Sequence, residues 1–131
     1  MINVEYINVH KVTGKTNEGG LGIRCRHSIA PVGEKIFAIL GVDRILYTPI
    51  DSNIGKEYAV KVVKQSAWNV KKVKLGKVGE YIRYGIPKSF ACALNLKKGQ
   101  KVLVIGNEDT LEIIPVNIAI EKIGTFKEAF L

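Results

Sequence analysis

Short apolar runs rich in Val, Ile and Tyr, most of them closed by Gly, Asn or Asp, recur along nearly the whole chain. Runs this short and this rich in β-branched side chains fit a pleated backbone, so the rhythm dictates many short strands. It places them at residues 3–12, 22–27, 44–49, 58–64, 70–75, 80–86, 101–105 and 110–116. Two stretches break the rhythm. Residues 34–40 and 87–94 carry apolar side chains at helical spacing and end at Gly41 and Asn95, residue types that tolerate the left-handed turn closing a helix. Pro87 suits the first helical turn, where its missing N–H costs nothing. The expected fold is therefore mainly β with two short helices.

The chain has 131 residues, of which 47% are hydrophobic and 24% charged. That balance is globular and excludes intrinsic disorder and a fibrous repeat. No apolar run approaches the length of a membrane-spanning helix, and the opening MINVEYINVHKV lacks the basic-then-apolar order of a signal peptide. Two cysteines, Cys25 and Cys92, are too few for a disulfide framework. These features predict a cytoplasmic protein with no membrane partner.

Charge is concentrated in the middle of the chain. From Lys64 to Lys101 there are ten Lys or Arg residues against Glu80 alone, so this segment carries +9 and the rest of the chain −1, for a formal net charge of +8. Lys71, Lys72, Lys74, Lys77, Arg83 and Lys88 fall within 18 residues. Such a band neutralises phosphates and releases their counterions, which gives affinity for nucleic acid without reading sequence. Strand alternation over residues 80–86 puts Ile82, Tyr84 and Ile86 on one face and Tyr81, Arg83 and Gly85 on the other. Arg83 is then placed to approach a groove, where arginine pairs bidentately with guanine. The competing reading is a solvated basic face that blunts edge strands.

The two expected helices lie in similar surroundings, which reads either as an internal repeat or as two unrelated stretches that look alike because short apolar elements generally do. Aligning Leu40-Gly41-Val42 with Leu94-Asn95-Leu96 sets the register of a repeat at 54 residues. In the second copy, GEYIRYGIPKSFACALNLKKGQKVLVIGNEDTLEIIPV, a strand with Arg83 leads through Ile86-Pro87-Lys88 into a short helix. Leu94-Asn95-Leu96, the turn Lys97-Lys98-Gly99-Gln100 and two apolar strands with a turn at residues 106–109 follow. This order resembles the AbrB-type swapped-hairpin DNA-binding family over residues 79–116. The resemblance implies a swapped-hairpin barrel, DNA as partner and a role in transcription regulation. It departs from the family at Ile82 and Ala91, where a Gly and a second Arg are usual. A family domain needs two such units, so residues 1–66 would supply a divergent first half and residues 67–131 the second, together forming one β-barrel domain. The alternative is that the whole chain forms a homodimer. In the first copy Val32-Gly33-Glu34 takes the place of the Ile-Pro-Lys step.

Other motifs carry less. Trp68 would either stack on an unpaired base or fill a core. Cys25-x-His27, with His10 and Cys92 in reserve, lacks the second close pair of a structural zinc site, so no metal is expected. Ser28 and Ser89 have no His-Asp relay, and Gly19-Gly20-Leu21-Gly22 lacks the Lys-Ser/Thr ending of a phosphate loop. The expectation is a non-enzymatic DNA-binding regulator without cofactor. Its rival is an antitoxin-like interaction module whose apolar tail, residues 118–131, grips a partner protein.

Overall fold

A computed structural model describes residues 4–14, 20–64 and 69–117. Along the chain these form β1 (Tyr6–Lys11), β2 (Thr13–Gly14), β3 (Leu21–Cys25), β4 (Lys35–Leu40), β5 (Ile45–Pro49) and α1 (Asn53–Lys64). Then come β6 (Val70–Lys74), β7 (Gly76–Val78), β8 (Tyr81–Ile86), α2 (Lys88–Ala93), β9 (Lys101–Gly106) and β10 (Leu111–Pro115). All pairings are antiparallel, in a six-stranded sheet ordered β1-β9-β10-β5-β4-β6 and a four-stranded sheet ordered β2-β3-β8-β7. Among the described residues the strands do not close into a barrel. None of the described helices is long and apolar enough to cross a membrane.

The structure moves one of the two expected helices. Residues 35–40 form a strand, because Ile36, Phe37, Ala38, Ile39 and Leu40 are all buried and a run that is apolar on both faces has no amphipathic period to distinguish helix from strand. Gly41 does not close a helix; its N–H donates to Arg44 O at 2.8 Å in the β4–β5 hairpin. The helix lies instead over residues 53–64, where the β-branched rhythm places a strand at 58–64. Ser52 starts it, its Oγ accepting the Gly55 N–H at 2.9 Å and donating to Pro49 O at 2.7 Å. The other helix matches closely. Pro87 stands just before α2, with its carbonyl accepting the N–H groups of Phe90 and Ala91, and Asn95 takes φ 54° immediately after.

An internal repeat exists, but not in the register that aligning two helices gives. The same interval separates Lys35 from Lys101, Asp43 from Asp109 and Pro49 from Pro115, so β4–β5 corresponds to β9–β10 throughout. The connecting turns repeat as well. Gly99 N–H donates to Val12 O at 2.8 Å and Val12 N–H to Gln100 O at 2.8 Å; Gly33 N–H donates to Leu75 O and Leu75 N–H to Glu34 O, both at 2.9 Å. Gly33 and Gly99 have φ of 95° and 86°, where a side chain would be strained. Val32-Gly33-Glu34 is thus the counterpart of Lys98-Gly99-Gln100, not of Ile-Pro-Lys. Val12 and Leu75 are the matching buried bends at which the chain passes from one sheet to the other.

The core lies between the sheets. Ile23, Cys25, Tyr84 and Ile86 from the smaller sheet pack with Ile36, Ile45, Tyr47, Val102, Val104, Leu111 and Ile113 from the larger. Tyr47 and Tyr84 meet edge to face with ring centroids 5.4 Å apart. Their hydroxyls donate to Gly85 O and His27 O, each at 2.8 Å, so both polar tips are satisfied inside the core. Burial raises the pKa of both phenols. Tail residues 118–131 and Trp68 lie outside the described residues.

One contact gives a sharp test. A Cβ on Gly55 would stand 2.1 Å from Pro49 O and 2.6 Å from Ile50 O, backbone atoms that cannot step aside alone. Gly→Ala inside a helix ordinarily stabilises by about 1 kcal/mol. Gly55→Ala should instead lower stability by roughly 1–3 kcal/mol, the usual cost of overpacking, measured by urea unfolding.

Candidate nucleic-acid interface

Cross-strand partners share a face, so the pairing registers decide where each cation points. In β8 the core side takes Ile82, Tyr84 and Ile86, which leaves Tyr81, Arg83 and Gly85 on the outward side of the four-stranded sheet. Arg24 lies directly opposite Arg83, with Gly76 on Arg83's other flank. The next row along this face is Thr13, Gly22 and Gly85. At the other end the Arg26 guanidinium stands 5.5 Å from the Tyr81 ring centroid and 3.2 Å from Glu80 Oε2.

Glycines form the floor beneath Arg83. A Cβ on Gly22 would come within 3.0 Å of its Nη2 and 3.1 Å of its Cζ, and one on Gly85 within 3.5 Å of Nη1. With no side chains there, the guanidinium lies low across the strands and donates to Gly20 O at 3.4 Å. Arg24 is exposed. Among the described residues neither Arg24 nor Arg83 forms an ion pair. Like charges directly opposite in a sheet destabilise it. An uncompensated arginine pair of this kind is a local cost to folding, and such costs gather where a charged ligand offsets them.

The lysines are distributed differently. Lys72 and Lys74 lie opposite Phe37 and Lys35 on the outward side of the six-stranded sheet, while Lys71 shares the side of Val73, which packs against the core. Lys77 lies opposite Ile82, on the core-facing side of the edge strand β7, and is exposed. Lys88 opens α2 and lines a groove with Gly20, Leu21 and Ile86. The fold therefore does not bring Lys71, Lys72, Lys74, Lys77, Arg83 and Lys88 onto one face. It strings the first four along the bent edge β6–β7 and sets Arg83 alone on the glycine-floored surface.

Arg24 and Arg26 belong to this surface, and counting charges along the chain does not find them. Their signal is the alternation in Gly22-Ile23-Arg24-Cys25-Arg26, which opposes the two arginines to Ile23 and Cys25. The Cys25-x-His27 pair is not assembled as a ligand set. Cys25 is buried, its thiol pushed up to about 11 by burial, and donates to His27 O at 3.6 Å. His27 Nε2 donates to Asn107 O at 2.5 Å, and Cys92 is exposed on α2. Tyr6 stacks between His10 and His27 and hydrogen-bonds to His10 Nε2; burial lowers the His10 pKa. No cluster of three potential metal ligands occurs among the described residues.

No family model matches the chain, and neither a curated protein nor a solved structure matches it.

Gly22→Ala tests the glycine floor. Its Cβ would stand 2.9 Å from Tyr84 O as well as against the Arg83 guanidinium. The variant should lose about 1–3 kcal/mol of stability in urea unfolding. Combining it with Arg83→Ala should recover the part due to the arginine, and additive losses would show that Arg83 does not lie over Gly22.

Proposed function

We propose that the protein binds duplex DNA through the outward face of its four-stranded sheet and acts as a transcriptional regulator of AbrB type. The observation that carries this reading is the facing pair Arg24 and Arg83, set on a glycine floor without ion-pair partners among the described residues. A flat, side-chain-poor surface lets a duplex approach closely, and two guanidiniums side by side suit bidentate contacts to guanine edges. Lys71, Lys72, Lys74 and Lys77 on the β6–β7 edge, with Lys88, would neutralise phosphates and fix the orientation of the duplex. Tyr81 beside Arg26 would add contact area at one end of the face.

The strand order supports a swapped-hairpin arrangement within one chain. Hairpin β9–β10 lies between β1 and β5 of the first half, and hairpin β4–β5 lies between β10 and β6 of the second. In this reading the molecule is an internal pseudo-dimer, and Arg24 and Arg83 are the same position in its two halves. One chain then presents what an ordinary family member needs two chains to build.

Binding to duplex DNA should weaken steeply with salt, its slope reporting the number of phosphates neutralised. Arg24→Ala and Arg83→Ala should each cost about 1–3 kcal/mol on a preferred sequence and much less on random DNA. Lys72→Ala should weaken both about equally and reduce the salt slope by about 1. Affinity insensitive to salt, or arginine variants that bind like the parent chain, would exclude this face as the interface.

A further inference from the structure

The second half departs from the first by inserting α2 between β8 and β9, where the first half runs directly from β3 to β4. This insertion creates a groove with no counterpart helix on the other side of the molecule. Its floor is apolar: Leu21 and Ile86 at the paired ends of β3 and β8, Ala91 from α2, and Leu96 beyond it. Around it stand Lys88, Lys97 and Lys98, and among the described residues no carboxylate lines it. None of these lysines forms an ion pair among the described residues.

The lysine-bearing turn is held in place by the fold. Gln100 N–H donates to Lys97 O at 3.1 Å, Gln100 Oε1 accepts the Lys97 N–H at 3.1 Å, and Gly99 is bonded to the bend at Val12. The opposite wall is fixed by burial of Phe90 and Ala91 and by Leu96 N–H donating to Ala91 O at 2.8 Å. The groove, of about 700 Å³, is therefore a formed feature of small-molecule size.

From this juxtaposition of apolar floor and lysine rim, we propose that the groove binds a small anion with an apolar body, such as an aliphatic or aromatic carboxylate. Charge complementarity selects the ligand's head and the floor selects its body. A bare phosphate would leave the floor uncovered, and an uncharged hydrocarbon would leave the ammonium groups unanswered. The site does not depend on the DNA-binding reading, and it can be tested without DNA.

Cys92 lines the groove and is exposed, whereas Cys25 is buried, so a thiol reagent applied to the folded full-length chain reports on the groove. Decanoate is the probe, held below its micellar range. Saturable protection is expected, with Cys92 labelling slowed at least tenfold at saturation. Decanol and decyltrimethylammonium should protect at least tenfold less well. Lys97→Ala combined with Lys98→Ala should raise the half-protecting decanoate concentration about tenfold, while Lys35→Ala, at an exposed position that does not line the groove, should leave it unchanged. Absence of saturable protection, or equal protection by decanol, would overturn the proposal. So would unfolding as the origin of any effect, recognised by simultaneous labelling of Cys25.

Discussion

Four antiparallel seams between the two halves hold this molecule together, β1–β9, β5–β10, β4–β6 and β3–β8, and its surfaces follow from their registers. β3 meets β8 with Arg24 opposite Arg83, and β5 meets β10 with Leu46 opposite Glu112. Each hairpin of the large sheet has strands of the other half on both sides. Pulling the halves apart would break four pairings, expose eight strand edges and bare the inner faces that carry Ile45, Tyr47, Leu111 and Ile113. Unpaired edges and bare apolar faces are both costly in water, so the halves fold as one unit. Of the seams that join them, β3–β8 is also what sets two arginines side by side.

The halves have diverged around this shared frame. On edge strand β6 the exposed positions are Lys71, Lys72 and Lys74, whereas on edge strand β1 they include Ile7 and Val9. Lysines on an edge discourage pairing with another sheet and, if the sheet face binds DNA as proposed, hold phosphates. Inside, the tyrosine pair occupies only one of two matching places. Ile113 stands where the other half has Tyr47. The second half also carries α2 and its groove. The lysine edge, α2 and the groove thus belong to one half, while the other contributes Arg24, Arg26, α1 and the counter-strands that complete both sheets.

Much of this is legible in the sequence. Seven of the eight strands expected from short β-branched runs are present, α2 lies where Pro87 and Asn95 bracket it, and the two faces of β8 follow from alternation. The failures share a cause. In β4, Ile36 to Leu40 are buried on both faces, so periodicity carries no information there. In α1, Tyr58 to Lys64 reads as a β-branched strand until the hydroxyl of Ser52 is recognised as a helix cap. Pairing the true helix α2 with the false one at 34–40 then shifts the repeat register, hiding the match of Asp43 with Asp109 and Pro49 with Pro115. The arginine surface escapes a linear reading because its members lie far apart in the chain, and only the β3–β8 register joins them.

In the proposed function the outward face of the four-stranded sheet receives a DNA duplex. Amide chemical-shift mapping of the full chain titrated with a short duplex tests this most directly. The predicted result is a continuous patch over residues 20–26 and 76–85, extending along the β6–β7 edge, with β5 and α1 silent. Shifts confined to α1 and the β4–β5 hairpin, with Arg24 and Arg83 unmoved, would contradict it.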